Sequence, residues 1–98
     1  MEINKTQNSN QLTVEIIGRL DTTTAPALES ELQSSLDGIE KLTLDFAKLE
    51  YVSSAGLRVL LATQKQMNKQ GEMVITNVNE DINEVFEITG FSDILTIE

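Results

Sequence analysis

The chain contains no cysteine and no histidine. The first absence excludes disulfides and thiolate metal sites. The second removes the Ser–His and Cys–His nucleophile pairs and the imidazole ligands usual for zinc and iron. The glycines, at 18, 38, 56, 71 and 90, are scattered. Neither Gly-x-x-x-x-Gly-Lys-Ser/Thr nor Gly-x-Gly-x-x-Gly is present, so a dedicated nucleotide fold is not supported and no cofactor is implied. Basic residues are scarce: 7 Lys and Arg stand against 16 Asp and Glu, a formal charge of −9. That argues against a nucleic-acid surface, which needs a basic patch, and equally disfavours anionic membranes. No apolar run approaches the ~20 residues that span a bilayer. The opening Met-Glu-Ile-Asn-Lys lacks a signal peptide's apolar region, so a cytoplasmic location is expected. What is left is an acidic chain of 98 residues and 40% apolar content. It is long enough for one domain, 1–98, and suited to a partner with a basic patch.

The most informative stretch is Glu50 to Leu61, Glu-Tyr-Val-Ser-Ser-Ala-Gly-Leu-Arg-Val-Leu-Leu. It follows Leu42, Leu44 and Phe46, which alternate with Thr43 and Asp45 as in a strand. After the two serines the apolar residues Leu57, Leu60 and Leu61 fall at helical spacing. The reading is a strand, a tight exit and a helix starting at Ser53 or Ser54, since a serine hydroxyl can accept from an unpaired N–H of the first turn. A hydroxyl is thereby held at the positive end of a helix, where an attached phosphate would meet free donors and a favourable dipole. Helix capping alone would also account for these serines. Arg58, one turn past Ser54 on the same side, could pair with such a phosphate, contact a partner, or simply face solvent.

Before this stretch, a weak strand around Ile3 and the alternating Leu12, Val14 and Ile16 predict a hairpin across the polar cluster Gln7 to Asn10. The polar loop Arg19 to Thr24 leads into a helix over 25–37. Thr23 or Thr24 is its expected cap, Pro26 sits in its first turn, and Ala25, Leu28, Leu32 and Leu36 form its buried stripe. After it, a helix over 55–69 ends at Gln70-Gly71. Met73 to Val78 reads as a central parallel strand buried on both faces. Asn79 caps a helix over 80–89 with Ile82, Val85 and Phe86 on its apolar face, closed by Gly90. A short strand or extended tail follows. Asp45 reads as a solvated strand residue, and no carboxylate spacing marks a catalytic pair. Strands alternating with helices after an opening hairpin predict an α/β fold: a mixed, mostly parallel sheet with three to four helices.

Leu-Asp-Phe-Ala-Lys-Leu-Glu-Tyr-Val-Ser-Ser-Ala-Gly-Leu resembles the signature of the anti-sigma factor antagonists, the bacterial single-domain members of the STAS superfamily. Their usual core is Asp-Ser-Ser/Thr-Gly-Leu, with the serine after the aspartate phosphorylated. Aligned on Gly56, that serine is Ser54, Ala55 takes the place of the second Ser/Thr, and Ser53 stands where the family has aspartate. Gly-Arg-Leu-Asp-Thr-Thr-Thr-Ala resembles the second signature, Gly-x-Leu-Asp-x-x-Thr-Ala, and carries over Asp21 and Thr24. Val-Phe-Glu-Ile-Thr-Gly-Phe is similar to the family's Leu-Phe-x-x-Ser/Thr-Gly segment. The likeness covers nearly the whole chain.

The resemblance implies a STAS-type fold in which the 18–24 loop and the Ser54 turn are neighbours. It also implies partner switching without catalysis. The unmodified domain binds an anti-sigma factor that is itself an ATP-dependent serine kinase and so frees the sigma factor. Phosphorylation of Ser54 separates the complex, and a phosphatase resets it. Asp21, Thr24, Ser53, Ser54, Gly56 and Arg58 are the expected partner-binding positions. A non-phosphorylated interaction subunit of a membrane transport system, in which Ser54 is structural, is the alternative the same fold allows.

Overall fold

The computed structural model describes residues 1–98. In chain order it contains β1 (Glu2–Asn8), β2 (Gln11–Leu20), α1 (Ala25–Ser35), β3 (Lys41–Asp45), β4 (Leu49–Val52), α2 (Ser54–Asn68), β5 (Glu72–Thr76) and α3 (Glu80–Thr89). A single 3-10 turn, Phe91–Asp93, follows. β1 and β2 form the antiparallel hairpin the sequence predicts, from Glu2 opposite Ile17 to Asn8 opposite Gln11. Ser9 takes the left-handed conformation (φ 59°) in the turn between them. β2 then pairs with β3 and β3 with β5, both in parallel, so the main sheet runs β1-β2-β3-β5. The mixed, mostly parallel α/β architecture is as expected.

β5 is the last strand of that order and not a central one. Its consecutive apolar residues Met73, Val74 and Ile75 are nonetheless all buried. The tail lies along its outer edge: the N–H of Ile75 donates to the carbonyl of Thr96 at 2.9 Å, and the N–H of Glu98 to that of Ile75 at 2.9 Å. Ile97 thus makes a one-residue parallel bridge to Ile75 and covers the open edge. The C-terminal strand or tail of the sequence reading is this bridge preceded by the 3-10 turn.

One cluster of 23 buried apolar residues fills the interior, drawn from every strand but β1 and from all three helices. α1 is shorter than the predicted 25–37, ending at Ser35, but its stripe is right: Ala25, Leu28, Leu32 and Leu36 are buried. α3 runs over the predicted residues, with the Asn79 side chain accepting from the N–H of Ile82 at 2.8 Å. At the turn from α2 to β5, Gly71 lies so close to the backbone of Glu40 that a Cβ there would sit 1.8 Å from its carbonyl oxygen. Only glycine lets the chain pass there. Asp45, read as solvated, is half-buried and accepts from the N–H of Ala47 at 2.9 Å and from Asn77 Nδ2 at 3.0 Å, fastening the end of β3 to the end of β5.

Candidate functional site

The site stands on the ends of β2 and β4, two strands that run in parallel with Leu20 opposite Val52. β4 is absent from the sequence reading. Its burial runs in, out, out, in, because Leu49 and Val52 are buried while Glu50 and Tyr51 are exposed. Gly18 pairs with Leu49 but Arg19 with Tyr51, so Glu50 is an extra residue in the strand and forms a bulge. That bulge breaks the period-two pattern by which a strand is recognised.

Ser53 leaves β4 with extended backbone (φ −98°, ψ 175°) and donates its N–H to the carbonyl of Leu20 at 2.8 Å. Its Oγ accepts from the N–H of Gly56 at 3.3 Å. Ser53 is therefore the cap of α2, and Ser54 is its first helical residue, with an exposed side chain. Of the two capping serines the sequence allows, the structure selects the first. Gly56 is buried against the strand ends, where a Cβ would fall 2.7 Å from Leu20 Cγ and 2.9 Å from Val52 Cγ2. It contributes close approach of the helix to the sheet; it offers no exposed surface of its own.

The loop after β2 is organised by Asp21. Its Oδ1 accepts from the Thr23 N–H at 3.0 Å, the Thr23 hydroxyl at 2.7 Å and the Thr24 N–H at 3.2 Å. The Thr24 hydroxyl accepts from the N–H of Asp21 and donates to the carbonyl of Arg19, each at 2.8 Å. Neither Thr23 nor Thr24 caps α1 as expected: Thr24 has near-helical backbone (φ −102°, ψ −22°) and makes no side-chain cap bond. The turn tightens one residue earlier, and the Asp21 carboxylate satisfies the N–H groups there. The hydrogen bond from the Thr23 hydroxyl, joined by the Thr23 and Thr24 amides, holds this carboxyl below its ordinary pKa against a smaller opposing effect of desolvation.

The two segments are neighbours, as the resemblance implies. Thr22, Ala25, Pro26 and Glu29 face Ala55, Arg58 and Val59 across an open cleft of about 320 Å³. Arg58 is exposed and forms no ion pair. One pair escaped the sequence reading altogether. The Arg19 guanidinium lies 4.3 Å above the centre of the Tyr51 ring, with its Nε 3.8 Å from Asp21 Oδ2. Recognising β4 would have placed these two residues opposite each other. No group of three or more acidic side chains is arranged to hold a metal ion. No helix is long and apolar enough to cross a membrane. The arrangement presents an exposed hydroxyl at a helix start, with an anchored carboxylate and two arginines on the flanking segments.

The STAS domain family model matches residues 2–98, and the chain belongs to that family. It is 42% identical over 82 residues to the protein BtrV of Bordetella bronchiseptica, covering 82% of this chain and 71% of that one. It is 34% identical over 92 residues to the anti-sigma-B factor antagonist of Bacillus subtilis, covering 93% and 84%. Among solved structures, an anti-sigma factor antagonist from Mycobacterium paratuberculosis shares the fold, with a TM-score of 0.88 at 23% identity over 98% of this chain and 83% of that one.

Proposed function

We propose that the protein is an anti-sigma factor antagonist switched by phosphorylation of Ser54. The observation that carries this reading is the division of labour between the two serines. Ser53 Oγ is engaged as the cap, whereas Ser54 is exposed on the first turn of α2 and open to modification. Unmodified, the domain docks on an anti-sigma factor with ATP-dependent serine kinase activity and so frees the sigma factor. The kinase phosphorylates Ser54, the complex separates, and a phosphatase resets the domain. The protein acts as kinase substrate and competitor. Ser54, Asp21, Thr24 and Arg58 form the docking surface on the frame set by Ser53 and Gly56. The name of the B. subtilis relative supports the role.

Two energies make the switch work. An anion at a helix N-terminus typically stabilises by about 0.3–1 kcal/mol, so the fold tolerates the phosphate. At the interface the same group adds about −1.5 to −2 charges to a chain already at −9. Docked, it must lose water, and a facing carboxylate costs several kcal/mol more. The test is incubation with ATP and the anti-sigma kinase encoded nearest the gene, followed by intact-mass and affinity measurements. One phosphate should add to wild type and none to Ser54→Ala. The phosphoprotein should lose the partner at an unchanged or slightly higher melting temperature. A phosphoprotein that binds as tightly as wild type overturns the reading.

A further inference from the structure

The Arg19–Tyr51 stack belongs to none of the roles above, yet it adjoins the same strand ends. The two residues are cross-strand partners, and their chain neighbours Leu20 and Val52 are the buried pair that supports Gly56. Tyr51 is 42% exposed and the Arg19 side chain 58% exposed. The chain has two arginines, and both flank this turn: Arg58 one helical turn beyond Ser54, Arg19 one residue before the carbonyl that takes the Ser53 N–H. The Arg19 main chain is fixed by the strand pairing and by the Thr24 hydroxyl on its carbonyl, and its head group lies on a ring with only two side-chain torsions. Tyrosine and arginine held this way lose little freedom on binding, and both residue types dominate interface energetics.

We propose that the Arg19–Tyr51 stack is the anchor of the docking surface that recognises the anti-sigma factor. The partner of fitting chemistry offers an apolar slot for the exposed part of the Tyr51 ring and a carboxylate for the free edge of the Arg19 guanidinium, inside a surface otherwise basic enough to meet a chain of charge −9. Asp21 Oδ1 is taken up by the threonine bonds, while Oδ2 faces Arg19 at 3.8 Å and helps aim it. The inference rests on the partner-switching reading and names the part of the surface that selects the partner.

The test uses the full-length protein and the purified anti-sigma factor encoded nearest its gene, with calorimetric affinities and thermal melts for wild type, Tyr51→Ala, Tyr51→Phe, Arg19→Gln and Arg19→Lys. Tyr51→Ala and Arg19→Gln should weaken binding about tenfold or more without moving the melting temperature. Tyr51→Phe should bind like wild type. Arg19→Lys should not restore affinity, because an ammonium lacks the planar fork. With limiting protein, phosphorylation of Ser54 in the two weakened variants should lose in KM and keep kcat. If wild type binds and is released by phosphorylation but all four variants bind within about twofold of it, the anchor is refuted and the switch stands. Affinity loss that tracks a lowered melt makes the stack structural and refutes the anchor as well. A wild type that does not bind overturns both.

Discussion

Replacing Gly56 by alanine tests the frame of the site directly. In an ordinary helix this change stabilises by about 0.5–1 kcal/mol, because alanine loses less backbone freedom. Here the added methyl would lie 2.7 Å from Leu20 Cγ, 3.0 Å from Leu20 Cδ2 and 2.9 Å from Val52 Cγ2. Leu20 is fully buried, so it cannot swing into solvent. Overfilling a packed core typically costs about 1–3 kcal/mol. The net expectation is a loss of about 1 kcal/mol, with α2 lifted at its N-terminus. Urea titration should show a lower midpoint at unchanged slope. The identity of the clashing group is tested on a Leu20→Ala background. That change alone should cost about 2–5 kcal/mol through the cavity it leaves. Adding Gly56→Ala there should cost less than in the wild-type chain, because only the contact with Val52 Cγ2 at 2.9 Å remains, giving a coupling of about 0.5–1 kcal/mol between the two positions. If Gly56→Ala is stabilising in the wild-type chain, or equally costly on both backgrounds, the close approach to Leu20 is not what requires glycine.

The two serines should separate cleanly in stability. Ser53→Ala loses the cap and should cost about 0.5–1 kcal/mol, at the lower end of the range for capping losses because the bond to the Gly56 N–H is 3.3 Å long, whereas Ser54→Ala should leave the urea midpoint unchanged. For Asp21 the folded pKa lies below the ordinary value, so its loop-ordering contribution is complete above the ordinary carboxylate pKa and fades as pH falls from there through the folded pKa. The Thr23 and Thr24 amide resonances, followed through an acid titration, should move with a midpoint below that of a free aspartate. Asp21→Asn should abolish the transition, and a midpoint at or above the free value would refute the bonding described.

Where a segment's burial followed the period of its own element, the sequence was enough. α3 ran from Glu80 to Thr89 because Asn79, Ile82, Phe86 and Gly90 mark cap, stripe and stop in one short stretch. The hairpin was legible because Leu12, Val14 and Ile16 alternate without interruption and all point inward. β4 was not, since the bulge at Glu50 sends two consecutive side chains to solvent. With β4 unseen, the partner of Arg19 could not be found. β5 shows a different limit: a run such as Met73-Val74-Ile75 reports burial on both faces but says nothing of how many strands lie beside it. Here a tail bonded through Thr96 and Glu98 supplies the cover that a neighbouring strand would otherwise give. At the α1 start, Thr23 and Thr24 were good cap candidates by type. The choice fell to Asp21 because its carboxylate reaches two amides and a hydroxyl from outside the helix.

The order of Ser53 and Ser54 matters for the proposed switch. Ser53 Oγ accepts from the Gly56 N–H, its own N–H is tied to the Leu20 carbonyl, and its side chain is half-buried. A phosphate on that oxygen would take up the atom that accepts from the Gly56 N–H. Phosphorylating Ser53 would therefore work against the cap that starts the helix. Ser54 carries no such duty: it follows the cap, faces solvent and lies beside the unpaired N–H groups of the first turn, where an anion is favourable. Modification there would change the charge of the proposed docking surface and leave the cap, the Gly56 contact and the Asp21 turn in place. In the proposed mechanism that separation keeps the phosphorylated domain folded, so that removing the phosphate restores the docking surface with no refolding step.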